Sequence, residues 1–237
     1  MKYYRIATYL LVTTALFGLM SCINCVEPAG EVRSESQKLE NFSKIEVGIP
    51  ANIKIITGDS AKITISACES YLMAITTRVR RGKLRIEGDI CNASREDVKI
   101  EITLPELSGI NISGSADVFS DTPIRTNRLS LGISGSGKIS LNVFANTIDN
   151  LISGSGDIII NGTCQKLDVD MDGSGNFMGL GLNSYRAKVR IKGSGKASIV
   201  ALNKLNAKVS GSGEISYTGE PELSVDISGS GKINKIN

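Results

Sequence analysis

Six carboxylates in the C-terminal half of the chain have the type and spacing to do chemistry: Asp149, Asp168, Asp170, Asp172, Glu214 and Asp226. Two such acids about 5–9 Å apart would serve glycoside hydrolysis, one donating a proton and the other acting as base or nucleophile. Three of them lie in "LDVDMD", Leu167–Asp172, where period-two spacing puts them on one face of a strand. A solvated strand face has the same pattern. Lys188, Arg190 and Lys192 form a matching basic row one repeat later, so ion pairing between the rows is the simpler role. A second stretch, "GISGSGKI" at Gly132–Ile139, approaches the nucleotide phosphate loop. Ile139 stands where that loop needs a Ser or Thr for magnesium, and no helix is predicted to follow. Calcium-binding repeats are excluded by lysines in the equivalent column: Asp117, Lys138, Asp157, Asn176, Lys196, Glu214, Lys232.

Histidine is absent from all 237 residues, which removes imidazole triads and most zinc and iron sites. Tryptophan is absent and aromatics make up 5%, so stacking on sugars or bases is poorly supplied. No catalytic residue, metal ligand or cofactor is assigned. The chain starts with Lys2 and Arg5 before an apolar run from Ala7 to Met20, the pattern of a secretory signal segment. That run ends in Leu19-Met20-Ser21-Cys22, which resembles the bacterial lipobox and makes Cys22 the expected acylated residue. Cleavage without lipid is the alternative. Losing Lys2 and Arg5 leaves 25 basic against 24 acidic side chains, a balance that gives no reason to expect a nucleic-acid partner.

Export permits disulfides among Cys25, Cys68, Cys91 and Cys164. Cys68 and Cys91, 23 residues apart, are the expected pair, with two buried thiols as the alternative. Cys25 falls in Val26–Lys38's neighbourhood, a polar stretch read as flexible spacer.

The elements that must position these residues are strands. "FSKIEVGI", "NIKIITG", "AKITISA", "KLRIEG" and "DVKIEITLP" alternate apolar and polar residues, while Glu69–Arg81 fits strand or short helix. From Leu107 a Gly-Ser pair recurs at Gly114, Gly135, Gly154, Gly173, Gly193, Gly211 and Gly229, at intervals of 18 to 21 residues. Two positions before and four after each of these glycines the residue is always apolar, from Ile112 and Val118 to Ile227 and Ile233. The immediate neighbours are polar or charged. Such units cannot bury their apolar side alone and must stack. The expected fold is all-β, a right-handed β-helix-like solenoid of about 19-residue coils, in which seven coils rise roughly 34 Å. An antiparallel sandwich or prism of repeated hairpins is the alternative. The expected segments are a signal peptide (1–21), a lipid-anchored flexible spacer (22–40), an N-terminal β region (41–106) and the repeat region (107–237).

The lipobox, the opening strands "NFSKIEVGIPANIKII" and the string of "ISGSG" units together resemble a bacterial family described as putative auto-transporter adhesin, head GIN domain. The resemblance runs from Asn41 to Asn237. It implies an all-β, β-helix-like shell on an exported or lipid-anchored protein of the Bacteroidetes type, and it brings no residue-level active site. Gly-Ser-Ala at Gly114–Ala116 departs from the repeat as an edge unit would. The expectation is a non-catalytic lipoprotein of the outer membrane, tied to the membrane by its acyl chains and offering a rigid β surface to a glycan or to an envelope or host protein. A carbohydrate-active solenoid enzyme and a structural envelope spacer are the alternatives.

Overall fold

The computed structural model describes residues 25–236. The expected signal peptide and Cys22 lie outside them. Among the described residues seventeen strands and one helix follow in chain order: β1 (Val32–Lys38), β2 (Lys44–Val47), β3 (Asn52–Thr57), β4 (Lys62–Cys68), α1 (Glu69–Ala74), β5 (Ile75–Arg80), β6 (Lys83–Gly88), β7 (Lys99–Leu104), β8 (Gly109–Ile112) and β9 (Asp117–Ser120). Then come β10 (Ile124–Ile133), β11 (Lys138–Gly154), β12 (Asp157–Gly173), β13 (Asn176–Gly193), β14 (Lys196–Gly211), β15 (Glu214–Thr218), β16 (Glu222–Gly229) and β17 (Lys232–Lys235). The segment that fitted strand or helix is both, α1 running directly into β5.

Each repeat pairs in parallel with the same positions of the next, so that Gly154 meets Gly173 and Ile158 meets Phe177. This is a solenoid and not a series of hairpins, because a hairpin repeat would pair with itself. Inward residues stack into columns: Ile133, Ile152, Met171, Ile191 and Val209 before the corner, and Ile139, Ile158, Phe177, Ala197 and Ile215 after it, all buried. Burying aliphatic side chains in this way supplies about 1.5–3 kcal/mol each.

The corners explain the glycines. The Ser174 N–H donates to the Gly154 carbonyl (2.9 Å), and the Ser194 N–H to that of Gly173 (2.9 Å). Consecutive corners therefore lie in direct backbone contact. A Cβ on Gly173 would come within 2.5 Å of the Gly154 carbonyl oxygen, and its φ of +135° is one that other residues rarely adopt. Gly114 and Gly135 do not share the positive φ, although a Cβ on Gly135 would still strike the Gly114 carbonyl.

The first coil lies in the N-terminal region, where no Gly-Ser marks it. β2 pairs with β8 and β3 with β9, both in parallel, around a corner at Gly48–Ala51 whose Ile49 is fully buried. One core cluster runs from Phe42 to Tyr217. Beyond this coil the pairing turns antiparallel: β7 with β4, β4 with β1, and β6 with β5. These strands and α1 cap the solenoid. One wall runs from β5 through β6, β2, β8 and β10 to β16, ten strands spanning roughly 43 Å at a spacing of ~4.8 Å.

Two expectations need correction at this cap. The segment expected to be spacer contains β1, paired along its whole length with β4. Every β1 side chain is exposed, so no apolar alternation announces the strand. Backbone bonds hold it, with hydroxyl pairs Ser34–Ser66 (2.7 Å) and Ser36–Thr64 (2.8 Å). The expected Cys68–Cys91 disulfide is replaced by Cys25–Cys91, with a Cα–Cα distance of 5.2 Å. Val26 forms a parallel bridge with Ile90. Its N–H donates to the Asp89 carbonyl (2.7 Å), and its carbonyl accepts from Cys91 (2.8 Å), which brings Cys25 alongside Cys91. Cys68 remains a free thiol 3.5 Å from the Ser70 hydroxyl.

Candidate functional site

The sequence "TTRVRRGKLRIEG", Thr76–Gly88, forms the β5–β6 hairpin. Its two-residue loop has Arg81 at φ +53° and Gly82 at φ +72°, the positive pair that lets a tight turn follow the strand twist. That turn fixes the register: Arg78 stands opposite Arg85, and Arg80 opposite Lys83. Period-two alternation sends Leu84 and Ile86 into the core and leaves Arg78, Arg80 and Arg85 exposed. Like charges directly opposite each other destabilise a ladder.

Only part of this charge is answered. Glu46, one strand further on, accepts from Lys83 Nζ (2.6 Å) and from Arg85 Nε (3.0 Å). The Lys83 hydrogen bond, reinforced by Arg85 and opposed by desolvation, holds the Glu46 carboxyl below the usual carboxylate range. Glu87 lies 3.5 Å from Arg85. Arg78, Arg80 and Arg81 have no carboxylate partner among the described residues.

These cations border an open cleft of about 920 Å³ that runs the length of the hairpin, from Arg81 at the tip to Gly88 and Asp89. Small residues, Gly48, Ala74 and Ser113, also line it. Four guanidinium groups and one ammonium border this concave surface together with Glu87 and Asp89; Lys83 and Arg85 are answered by Glu46, which leaves Arg78, Arg80 and Arg81 with the geometry that pairs with carboxylate, sulfate or phosphate oxygens.

Five of the six carboxylates that could have been catalytic are engaged with other side chains, Asp149 with Arg128 among them, while Asp172 only stands in register with Lys192. β12 and β13 bring Asp168 opposite Lys188, Asp170 opposite Arg190 and Asp172 opposite Lys192. Arg190 bridges the first two acids, with a bidentate contact to Asp170 and Nη2 3.3 Å from Asp168. Both carboxylates are thus engaged with one guanidinium across neighbouring coils. The hollow beside them, about 250 Å³ and also lined by Asp149, is shallow. Asp226 pairs with Lys208 (2.5 Å), and Glu214 accepts from Asn234 (3.0 Å). Among the described residues no group of three or more Cys, Asp or Glu could hold a metal ion. In Gly132–Ile139 the Ile139 side chain is buried and a strand follows, so no phosphate loop forms.

The sequence carried a signal for the cleft that went unread. Arg78, Arg80, Lys83 and Arg85 alternate about an Arg-Gly turn, the pattern of a hairpin with one cationic face.

Residues 41–221 match the model of the family described as "Putative auto-transporter adhesin, head GIN domain". No curated protein matches the chain. Solved structures do. A putative adhesin from Bacteroides fragilis superposes with a TM-score of 0.84 at 25% identity, covering 89% of this chain and 99% of its own. A putative lipid binding protein from Parabacteroides distasonis gives 0.73 at 24% identity, covering 90% and 100%. A putative adhesin from the same species gives 0.69 at 20%, also covering 90% and 100%.

Proposed function

The chain belongs to the family of putative auto-transporter adhesin, head GIN domains, and on that premise we propose that it is a non-catalytic binding module of the cell envelope whose cation-lined cleft takes hold of an anionic partner. The observation that carries this reading is the unanswered charge of Arg78, Arg80 and Arg81 beside the like-charge pairs of the β5–β6 ladder. A hairpin that needed only to cap the core would be more stable with neutral residues at these exposed positions. The rest of the solenoid supports the site: strands locked into a common core hold the cleft in shape without a ligand.

Attachment to the envelope is part of the proposal. The signal segment delivers the chain across the inner membrane, and acylation of Cys22 retains it at the outer one. Asp149, Asp168, Asp170 and Asp226 serve in cross-coil ion pairs, which disfavours the enzymatic alternative.

The mature chain carrying Cys22→Ser, which cannot be acylated, contains every core residue and is the form to test. Presented to acidic and neutral glycans and to envelope fractions, it should retain acidic partners. Replacing Arg78, Arg80 and Arg81 by Gln should abolish retention without lowering the melting temperature. Equal retention by the triple variant, or preference for neutral partners, would sink the reading.

A further inference from the structure

We propose that the anion held by the cleft is the phosphate of membrane lipid headgroups, so that the hairpin seats the domain on the bilayer carrying its own anchor. The proposal rests on the reading of the cleft as an anion receptor and of Cys22 as the acylated residue. What it adds comes from the Cys25–Cys91 disulfide. A flexible spacer of the length suggested by the sequence would let the domain float free of the membrane. Instead, Val26 is bonded through its N–H to the carbonyl of Asp89, a residue of the cleft. Four residue steps separate Val26 from Cys22, a reach of at most about 14 Å. The acyl chains therefore enter the bilayer beside one end of the cleft.

The chemistry of the lining agrees. No aromatic residue lines the cleft to stack on a sugar ring. Arginine forks predominate, and these match phosphate oxygens in paired hydrogen bonds. The hairpin leads away from the anchored end. Laid along the bilayer, it brings Arg78 and then Arg80 and Arg81 to the headgroups, and their long side chains can follow the surface over several ångströms. Charges within about 10 Å of that surface still feel it at ordinary ionic strength. Glu87 and Asp89 flank the anchored end, where the acyl chains supply the attachment.

The mature Cys22→Ser chain should sediment with mixed phosphatidylcholine–phosphatidylglycerol vesicles and not with pure phosphatidylcholine vesicles. Gln at Arg78, Arg80 and Arg81 should weaken vesicle binding about a hundredfold at low salt, and raised salt should weaken the wild-type chain likewise. Lys138→Gln, which removes an exposed cation across the corner on the wall of β9 and β3, should leave binding unchanged. Free inorganic phosphate should compete better than chloride at equal ionic strength, as paired hydrogen bonds to its oxygens require, and competition no better than chloride's would overturn the phosphate assignment. Binding that ignores vesicle charge, or survives the triple substitution, overturns the proposal. Retention of a soluble acidic glycan with no vesicle binding also overturns it while leaving the anion-receptor reading intact. Failure with every anion removes both.

Discussion

At the scale of single residues, the two free thiols show how far environment departs from composition. Both are plain as cysteines in the sequence, but which cysteines pair and which stay free is not. Pairing depends on Val26 reaching Ile90, a contact no local pattern encodes. Burial pushes the Cys164 thiol up to about 12. At Cys68 desolvation also opposes ionisation, yet the Ser70 hydroxyl and backbone N–H groups outweigh it and bring the thiol below its ordinary value. The thiolate is the reactive form, and Cys68 is half-buried where Cys164 is enclosed. A disulfide reagent at mildly alkaline pH should label Cys68 in the native chain, and Cys68→Ser should remove that labelling. Cys164 should react only on unfolding. Comparable native labelling of both thiols would show that the distinction is wrong.

At the scale of elements, the corner and the hairpin turn use glycine for different reasons. The corner was legible because a stacked repeat imposes the same residue at the same offset in every coil, which periodicity reveals directly. Its close backbone approach was not, since that depends on the preceding coil. At Gly173 an added Cβ meets a carbonyl within 2.5 Å, so the coil must shift and the φ is strained as well. Gly82 also has positive φ, but a Cβ there meets nothing within 4 Å. Gly82→Ala should therefore cost about 1 kcal/mol, the strain of the left-handed conformation alone. Gly173→Ala should cost roughly 2–4 kcal/mol, adding the displaced backbone to that strain. Urea unfolding of the two variants checks the order, and equal losses would show that stacking contributes nothing at the corner. The β1 strand marks the opposite limit of legibility. Exposed on every side chain, it is defined by its backbone pairing with β4, and sequence alternation cannot report such a strand.

At the scale of the whole molecule, the solenoid has two unlike ends. One is closed by antiparallel strands, α1 and the disulfide, and it carries the cationic cleft. The other ends in β16, where Leu223, Val225 and Ile227 are 43–47% exposed among the described residues. The repeating body could be read from glycine spacing, whereas the cap is assembled from segments far apart in sequence. Glu46 reaches across 37 positions to Lys83, and Cys25 across 66 to Cys91. In the chain-entropy account, closing a loop of that length stabilises the fold by about 4 kcal/mol. It also turns part of the expected tether into part of the domain and fixes the cleft within a few residues of Cys22, the proposed acylation site. That linkage is what joins fold to function here. Peptide mapping of the native, unreduced protein tests it most directly. A cross-linked peptide pair joining Cys25 to Cys91 is expected, with Cys68 and Cys164 recovered as free thiols. A Cys68–Cys91 link, or Cys25 recovered free, would contradict it.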